Sequence, residues 1–315
     1  MDLTARNPIS CLICGSDHAQ FLCLSRTQRV PSLKTPISIC RDCGFVYINP
    51  RWTREQYDEV MDRWYPHKFI LDPPTDPSED KRFVKWIKMD ERIAPYYPNG
   101  VRNLLDVGAG QGWCIEYLKR KCPEMNAFAI ERWEPCQKHI QENYNGVIIG
   151  EKIDAEWDPQ YHNRFDLIVF RHTLEHIFEP LPVLKQLREY LSDDGYAYIV
   201  VPSIRETTRI LQHSYFRPVH VSYFCKETLE SLARQAGLEP VVMEEKRQKE
   251  LWCLFKRGET AFIKPNVYEE TMQIIATLQK QEWLKSAFEF WHINLLHWLD
   301  VTHIRPMPKK QHSTG

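Results

Sequence analysis

Between about Asn103 and Arg257 short apolar runs alternate with amphipathic stretches. The runs NLLDVG, NAFAIE, GVIIGE, FDLIVF and GYAYIVVP are strand-length, and LPVLKQLREYL and CKETLESLARQAG repeat at helical spacing, the second closed by Gly237. Such alternation predicts an α/β fold, a largely parallel sheet with helices on both faces. The late segments EPVVMEE and ELWCLFKRG predict an antiparallel edge pair. Upstream, DKRFVKWIKMDERI places Phe83, Trp86, Ile87 and Ile93 at helical spacing, and Pro95 and Pro98 close that helix. Beyond Gly258, YEETMQIIATLQKQEWLKSAFEFWHINLLHWLDV predicts one or two aromatic-rich helices.

The first residues lack either period. With Pro31 and Pro36 they suit short strands and turns, so residues 1–48 read as a small autonomous module. Residues 49–80 are proline-rich and aromatic, too irregular for a long element and too hydrophobic for a free linker. The expected organisation is a module over 1–48, a connector and helix over 49–99, the sheet domain over 100–258 and a helical extension over 259–315.

Composition narrows the function classes. With 43% hydrophobic and 26% charged residues among 315, the chain is ordinary globular material. Its 41 basic and 42 acidic residues cancel, so no global field draws it to nucleic acid or an anionic membrane. The start MDLTARNPIS has no secretory pattern and no apolar run approaches the roughly 20 residues of a membrane span, which sets a cytoplasmic expectation.

The segment LLDVGAGQGWCIEYL runs from strand through Gly108, Gly110 and Gly112 into a helix. Glycine lets backbone approach a ligand closely, and Glu131 ends the next apolar strand nineteen residues after Gly112, where a carboxylate can bond a ribose hydroxyl pair. Asp106 before the loop would repel a phosphate and favours a cationic ligand. Here the sequence resembles the class I S-adenosylmethionine (SAM)-dependent methyltransferases, through DVGAGQG, AIERWEP and FDLIVFRHTLEHIFEPLPVLKQLREYLSDDGYAYIVVPS. The resemblance implies a Rossmann-like seven-stranded sheet with a reversed final strand. It also implies SAM contacts at Asp106, Gly108, Ala109, Gly110, Gly112, Glu131, Arg132 and Arg171, with Asp154 and Ala155 bordering the adenine.

Cys11, Cys14, Cys40 and Cys43 form two CxxC pairs separated by twenty-five residues, each pair followed by glycine. Four thiolates can surround one tetrahedral ion, zinc or iron, leaving no open position; a structural zinc-ribbon-like module is expected. The glycines are expected to turn backbone amides toward sulfur. With this module added, the chain resembles bacterial methyltransferases of sugar and natural-product pathways. Nucleotide-sugar C-methyltransferases share the module but carry a further C-terminal domain of mixed structure, whereas this chain ends in about fifty-five residues of expected helix.

Three histidines fall at the carboxyl edge of the expected sheet or in the segment closing over it: His172, His176 and His220. HTLEH also spells the HxxEH zinc pattern of some peptidases, but that pattern belongs on a free helix, not directly after a sheet strand. Methyl transfer to an alcohol benefits from a base near neutral pKa, and His220 in SYFRPVHVSYF is the first candidate. His172 is expected to face substrate and His176 to orient its loop. Arg205, Arg209 and Arg217 are candidates to hold an acceptor phosphate or carboxylate.

The leading expectation is methyl transfer to a small-molecule acceptor, a hydroxyl of a sugar, nucleotide sugar or glycan. An RNA methyltransferase gripping RNA with the zinc module is the runner-up, opposed by the charge balance. A non-catalytic scaffold with this fold is the third, and the C-terminal helices are a candidate homo-oligomer surface.

Overall fold

The computed structural model describes residues 6–26, 33–64, 84–207, 211–246, 250–281 and 283. Two sheets organise them. The first is built from β1 (Ala19–Arg26), β2 (Lys34–Cys40) and β3 (Val46–Ile48), antiparallel in sequence order. Two helices follow, α1 (Arg54–Trp64) and α2 (Val84–Ile93).

The larger sheet opens with β4 (Asn103–Val107), α3 (Trp113–Lys121), β5 (Asn126–Ile130), α4 (Glu134–Tyr144) and β6 (Val147–Gly150). It continues through β7 (Phe165–Arg171), α5 (Pro180–Tyr190) and β8 (Leu191–Pro202). A two-residue strand β9 (Ser222–Tyr223) and helix α6 (Lys226–Gln235) lead to β10 (Leu238–Lys246) and β11 (Glu250–Arg257). Its order is β10-β11-β8-β7-β4-β5-β6, with β4, β5, β6, β7 and β8 parallel and β11 running against both neighbours. This is the seven-stranded sheet with a reversed final strand that the resemblance implies. The central strands are buried on both faces, as continuous apolar runs require: Leu104, Leu105 and Val107 of β4, and Leu167 through Phe170 of β7, are inaccessible. The strand order reverses between β4 and β7, so both carboxyl ends open on one crevice.

Four expectations are corrected. First, the connector contains a true helix, α1. Thr53 and Gln56 form a reciprocal cap, the Thr53 amide donating to Gln56 Oε1 at 2.8 Å and the Gln56 amide to Thr53 Oγ1 at 3.4 Å, and Tyr57 and Val60 bury one face. The surrounding prolines masked this Thr-x-x-Gln signature. Second, the buried face of α2 is Trp86, Met89 and Ile93, while Ile87 is exposed and Phe83 lies outside the described residues. Third, the N-terminal module is not autonomous. β3 takes β9 as a fourth strand, and Cys11, Cys40, Phe45 and Tyr47 pack in one cluster with the core of the large sheet. A three-stranded sheet this small has no second layer of its own and borrows one. Fourth, Arg205 is occupied by protein carboxylates, with Glu227 at 2.9 Å, Glu270 at 2.7 Å and Glu245 at 3.7 Å. It is therefore no anion grip; Arg209 lies outside the described residues.

The helical segment 268–281 lies on the N-terminal module. Tyr268 donates to Gln20 at 2.6 Å, Ile275 is buried in the module's cluster, and a Cβ at Gly44 would stand 2.6 Å from the Val267 carbonyl carbon. The rest of the expected C-terminal helices, with the oligomer surface placed on them, lies outside the described residues beyond Trp283.

Candidate active site

A cleft of about 340 Å³ lies at the carboxyl ends of β4, β5 and β7. Gly108, Gly110 and Glu131 line one end, His172 and His176 the other, and Tyr57 and Met61 of α1 face them. Helix α1 is anchored across the opening by ion pairs: Arg54 with Asp154, and Arg132 with Asp62 at 3.0 Å and Asp58 at 3.3 Å.

At the glycine end, the Gly108 amide donates to Ile130 at 2.8 Å and draws the loop over the tip of β5. Gly110 has φ +56°, and a Cβ built there meets no atom within 4 Å, so this backbone faces open space. Glu131 Oε2 accepts from the Gly110 amide at 2.6 Å and Oε1 from the Trp133 amide at 2.9 Å. Burial pushes the Glu131 carboxyl up, against the pull of those amides. Asp106 is buried beneath the loop, and its Oδ2 has no hydrogen-bond partner. Burial, then the charge of Glu131, raises its carboxyl to about 7, with Lys85 pulling the other way. The Lys85 ammonium is itself lowered to about 8 by burial and then by Arg171. Two buried carboxyls beside an uncovered glycine backbone suit a ligand with a positive centre and a ribose, and these residues fit SAM on both counts.

At the histidine end, His172 has φ +53° and sits between two carboxylates, Nε2 at 2.8 Å from Glu250 and Nδ1 at 3.4 Å from Glu175. Burial depresses its imidazole, but Glu175 and Glu250 outweigh that and raise it. Glu250 is also held by Arg171 at 2.8 Å; burial raises its carboxyl, but His172 and Arg171 outweigh that and hold it at about 2. His176 Nδ1 lies 2.8 Å from the Val219 carbonyl and therefore donates to it, which makes Nε2 the accepting nitrogen of the neutral ring. Burial first lowers the His176 imidazole. His220 packs edge-on against it, ring centroids 4.6 Å apart. The Tyr57 hydroxyl stands 2.7 Å from both the His176 and Val219 carbonyls and ties their loops together.

The expected residues are not all brought together. Gly108, Gly110, Glu131, Arg132, Asp154, His172 and His176 line the cleft. Ala109 packs against the cluster beneath the loop, and the Cβ side of Gly112 is closed by Ile140 at 2.7 Å. Ala155 lines a neighbouring shallow depression, Arg171 is turned to Glu250, and His220 stands behind His176. HTLEH forms a single 3-10 turn over Leu174–His176, so its histidines do not repeat on one helical face. Missed in the sequence were Tyr57, Arg54, Lys85 and Glu250, whereas Glu175 falls at the sheet edge as expected. Glu175 sits inside the HTLEH motif and Tyr57 follows the capping signature; Glu250 reaches the site only through the pairing of β11 with β8, which no local pattern encodes.

The four cysteines of the CxxC pairs converge, all four sulfurs within 4.8 Å of one another. Cys11 Sγ is 3.5 Å from Cys43 Sγ and Cys14 Sγ is 3.6 Å from Cys40 Sγ. Tetrahedral thiolate ligation at about 2.3 Å sets sulfurs roughly 3.8 Å apart, so the set fits a divalent ion. The Gly15 and Gly44 amides bond the carbonyls of Cys11 and Cys40, closing each knuckle as a tight turn, while the amides of Cys14, Asp42 and Phe45 turn toward the sulfurs of Cys11, Cys40 and Cys43.

A sheet of this order, with a glycine loop after its first strand and an acid ending the second, defines the class I SAM-dependent methyltransferase fold. The methyltransferase-domain family matches residues 79–242, and the chain belongs to that family. It is 27% identical over 155 residues to the biotin biosynthesis bifunctional protein BioHC of Teredinibacter turnerae, covering 44% of this chain and 27% of that protein. It is 26% identical over 147 residues to the tRNA U34 carboxymethyltransferase of Nautilia profundicola, covering 45% of this chain and 46% of that protein. The chain thus spans less than half the length of either relative. A SAM-dependent methyltransferase structure from Clostridium acetobutylicum is similar at 14% identity and TM-score 0.46, over 56% of this chain and 92% of that one. Among the described residues no helix is long and apolar enough to cross a membrane.

Proposed function

We propose that the chain transfers the methyl group of SAM to a hydroxyl of a small molecule, a sugar, nucleotide-linked sugar or glycan. The observation that carries this reading is one cleft with the glycine loop and Glu131 at one end and His172 and His176 at the other. Asp106, Gly108, Ala109, Gly110, Gly112, Glu131, Arg132, Asp154, Ala155 and Arg171 are the proposed cofactor residues, to which Lys85 is added as a cation near Asp106. The acceptor oxygen attacks the sulfonium methyl in line, the carbon–sulfur bond breaks, and S-adenosylhomocysteine leaves. The hydroxyl proton is removed at the histidine end: His176 Nε2 is the accepting nitrogen, His220 supports it, and His172, held between carboxylates, orients substrate.

The four-cysteine cluster is proposed to hold a structural zinc ion, with the module at 1–48, connector at 49–99, catalytic domain at 100–258 and extension at 259–315. Its coupling to β9 makes the zinc module a brace for the loop that carries His220. The reading is tested by supplying the protein with methyl-labelled SAM in a cell extract that holds both small molecules and RNA, and searching by mass spectrometry for a product one methyl heavier. A labelled carbohydrate supports it; label in RNA alone would replace it with the RNA reading.

A further inference from the structure

We propose that Glu175, His176 and His220 form a second metal site, a two-histidine, one-carboxylate set for a divalent transition ion at the acceptor end of the cleft. The inference rests on the methyl-transfer reading for its purpose, and it gives His176 Nε2 to the ion in place of the free-base role.

One ligand atom from each of the three side chains lies within 4.8 Å of the others. They come from two segments, Glu175 and His176 from the turn after β7 and His220 from the loop before β9, joined by the Val221 amide donating to the Glu175 carbonyl at 2.8 Å. Glu175 is only 2% exposed, and its Oε2 accepts no hydrogen bond. A carboxylate oxygen out of water with no donor is costly unless something positive meets it. His172 Nδ1 steadies the other oxygen at 3.4 Å, and the Val219 carbonyl fixes the tautomer of His176 with Nε2 unprotonated. Both are the supporting bonds that orient metal ligands. Imidazole with one carboxylate suits zinc or ferrous iron and leaves coordination positions open. His176 lines the cleft, so an open position would meet an acceptor placed there.

The chemistry deepens the proposed transfer. A hydroxyl bound to such an ion is acidified and releases its proton to water in the cleft. Its oxygen then forms the bond to the methyl carbon while the sulfonium sulfur takes the breaking pair and becomes a thioether. The two imidazoles thus act on the proton through the ion rather than as free bases.

Full-length protein loaded with Zn²⁺ and desalted should contain two equivalents, falling to one in Glu175→Gln and in His220→Asn. Loading with Co²⁺ assigns each equivalent without a variant. The four-cysteine site gives strong thiolate charge-transfer absorption, and the second equivalent adds only weak visible bands. One equivalent lost in Glu175→Gln also supports the site. A single thiolate-bound equivalent that both variants retain would overturn it. SAM titration reads the cofactor end independently, so either result can fail while the other stands.

Discussion

The two sheets of this chain are held by different means. The seven-stranded sheet buries central strands on both faces and draws its cohesion from apolar contact, at roughly 25 cal/mol per Å² removed from water. The four-stranded sheet is short, ends in the edge strand β1 with Phe21 and Leu24 exposed, and is organised around four convergent sulfurs. It meets the larger body through β9 and the 268–281 helical segment. The difference teaches that the small sheet leans on its neighbour and on four convergent sulfurs, while the large one buries its own central strands, and that the histidine loop is fastened to both.

The comparison is broken most severely at the sulfurs. Cys40→Ser, or a strong chelator, should cost more than about 5 kcal/mol, given the binding energy of structural zinc sites. Hydrogen exchange should show β1, β2 and β3 losing protection while β4 and β7 keep theirs; equal loss in both sheets would mean the two are one cooperative unit.

Asp106→Asn should act in the opposite direction. The folded carboxyl is raised to about 7 from an unfolded value near 4, so its favourable state is fully present below about pH 4 and lost as pH rises through 7. The variant should gain on the order of 2–4 kcal/mol at pH 8 and nothing at pH 4, while losing SAM affinity. Denaturant titrations at the two pH values check this, and a pH-independent difference would contradict it.

Tyr57→Phe removes the hydroxyl shared by the His176 and Val219 carbonyls and should cost about 1 kcal/mol. A thermal melt should register a fall of about 2–4 °C. Phe21→Ser should change stability by less than about 0.5 kcal/mol, since Phe21 is 59% exposed. A larger loss in the melt would mean that β1 is covered in solution.

How much of this was legible in the sequence depends on distance along the chain. The glycine loop and Glu131 were readable because one strand-turn-helix unit and the next strand build them within twenty-four residues, Gly108 to Glu131. The four-cysteine set was readable because thiolate ligation constrains spacing. The histidine end was only partly so: its three histidines were named, but that His220 stands behind His176 follows from Tyr57 on α1 and from β9 pairing with β3. Glu250 depends on a strand seventy-eight residues from His172. Helix α1 was hidden by flanking prolines although its cap was in plain sequence.

The most direct test is calorimetric titration of SAM into the full-length protein and into Gly110→Arg. Gly110 has open space where its Cβ would lie but a φ of +56° that strains any L side chain, so a thermal melt of the variant accompanies the titration to show that it is folded. The expected result is saturable one-to-one binding to the natural protein, at least about 100-fold weaker in the variant, roughly 3 kcal/mol. Equal affinity in both proteins, or none in the natural one, would contradict the assignment of the glycine loop.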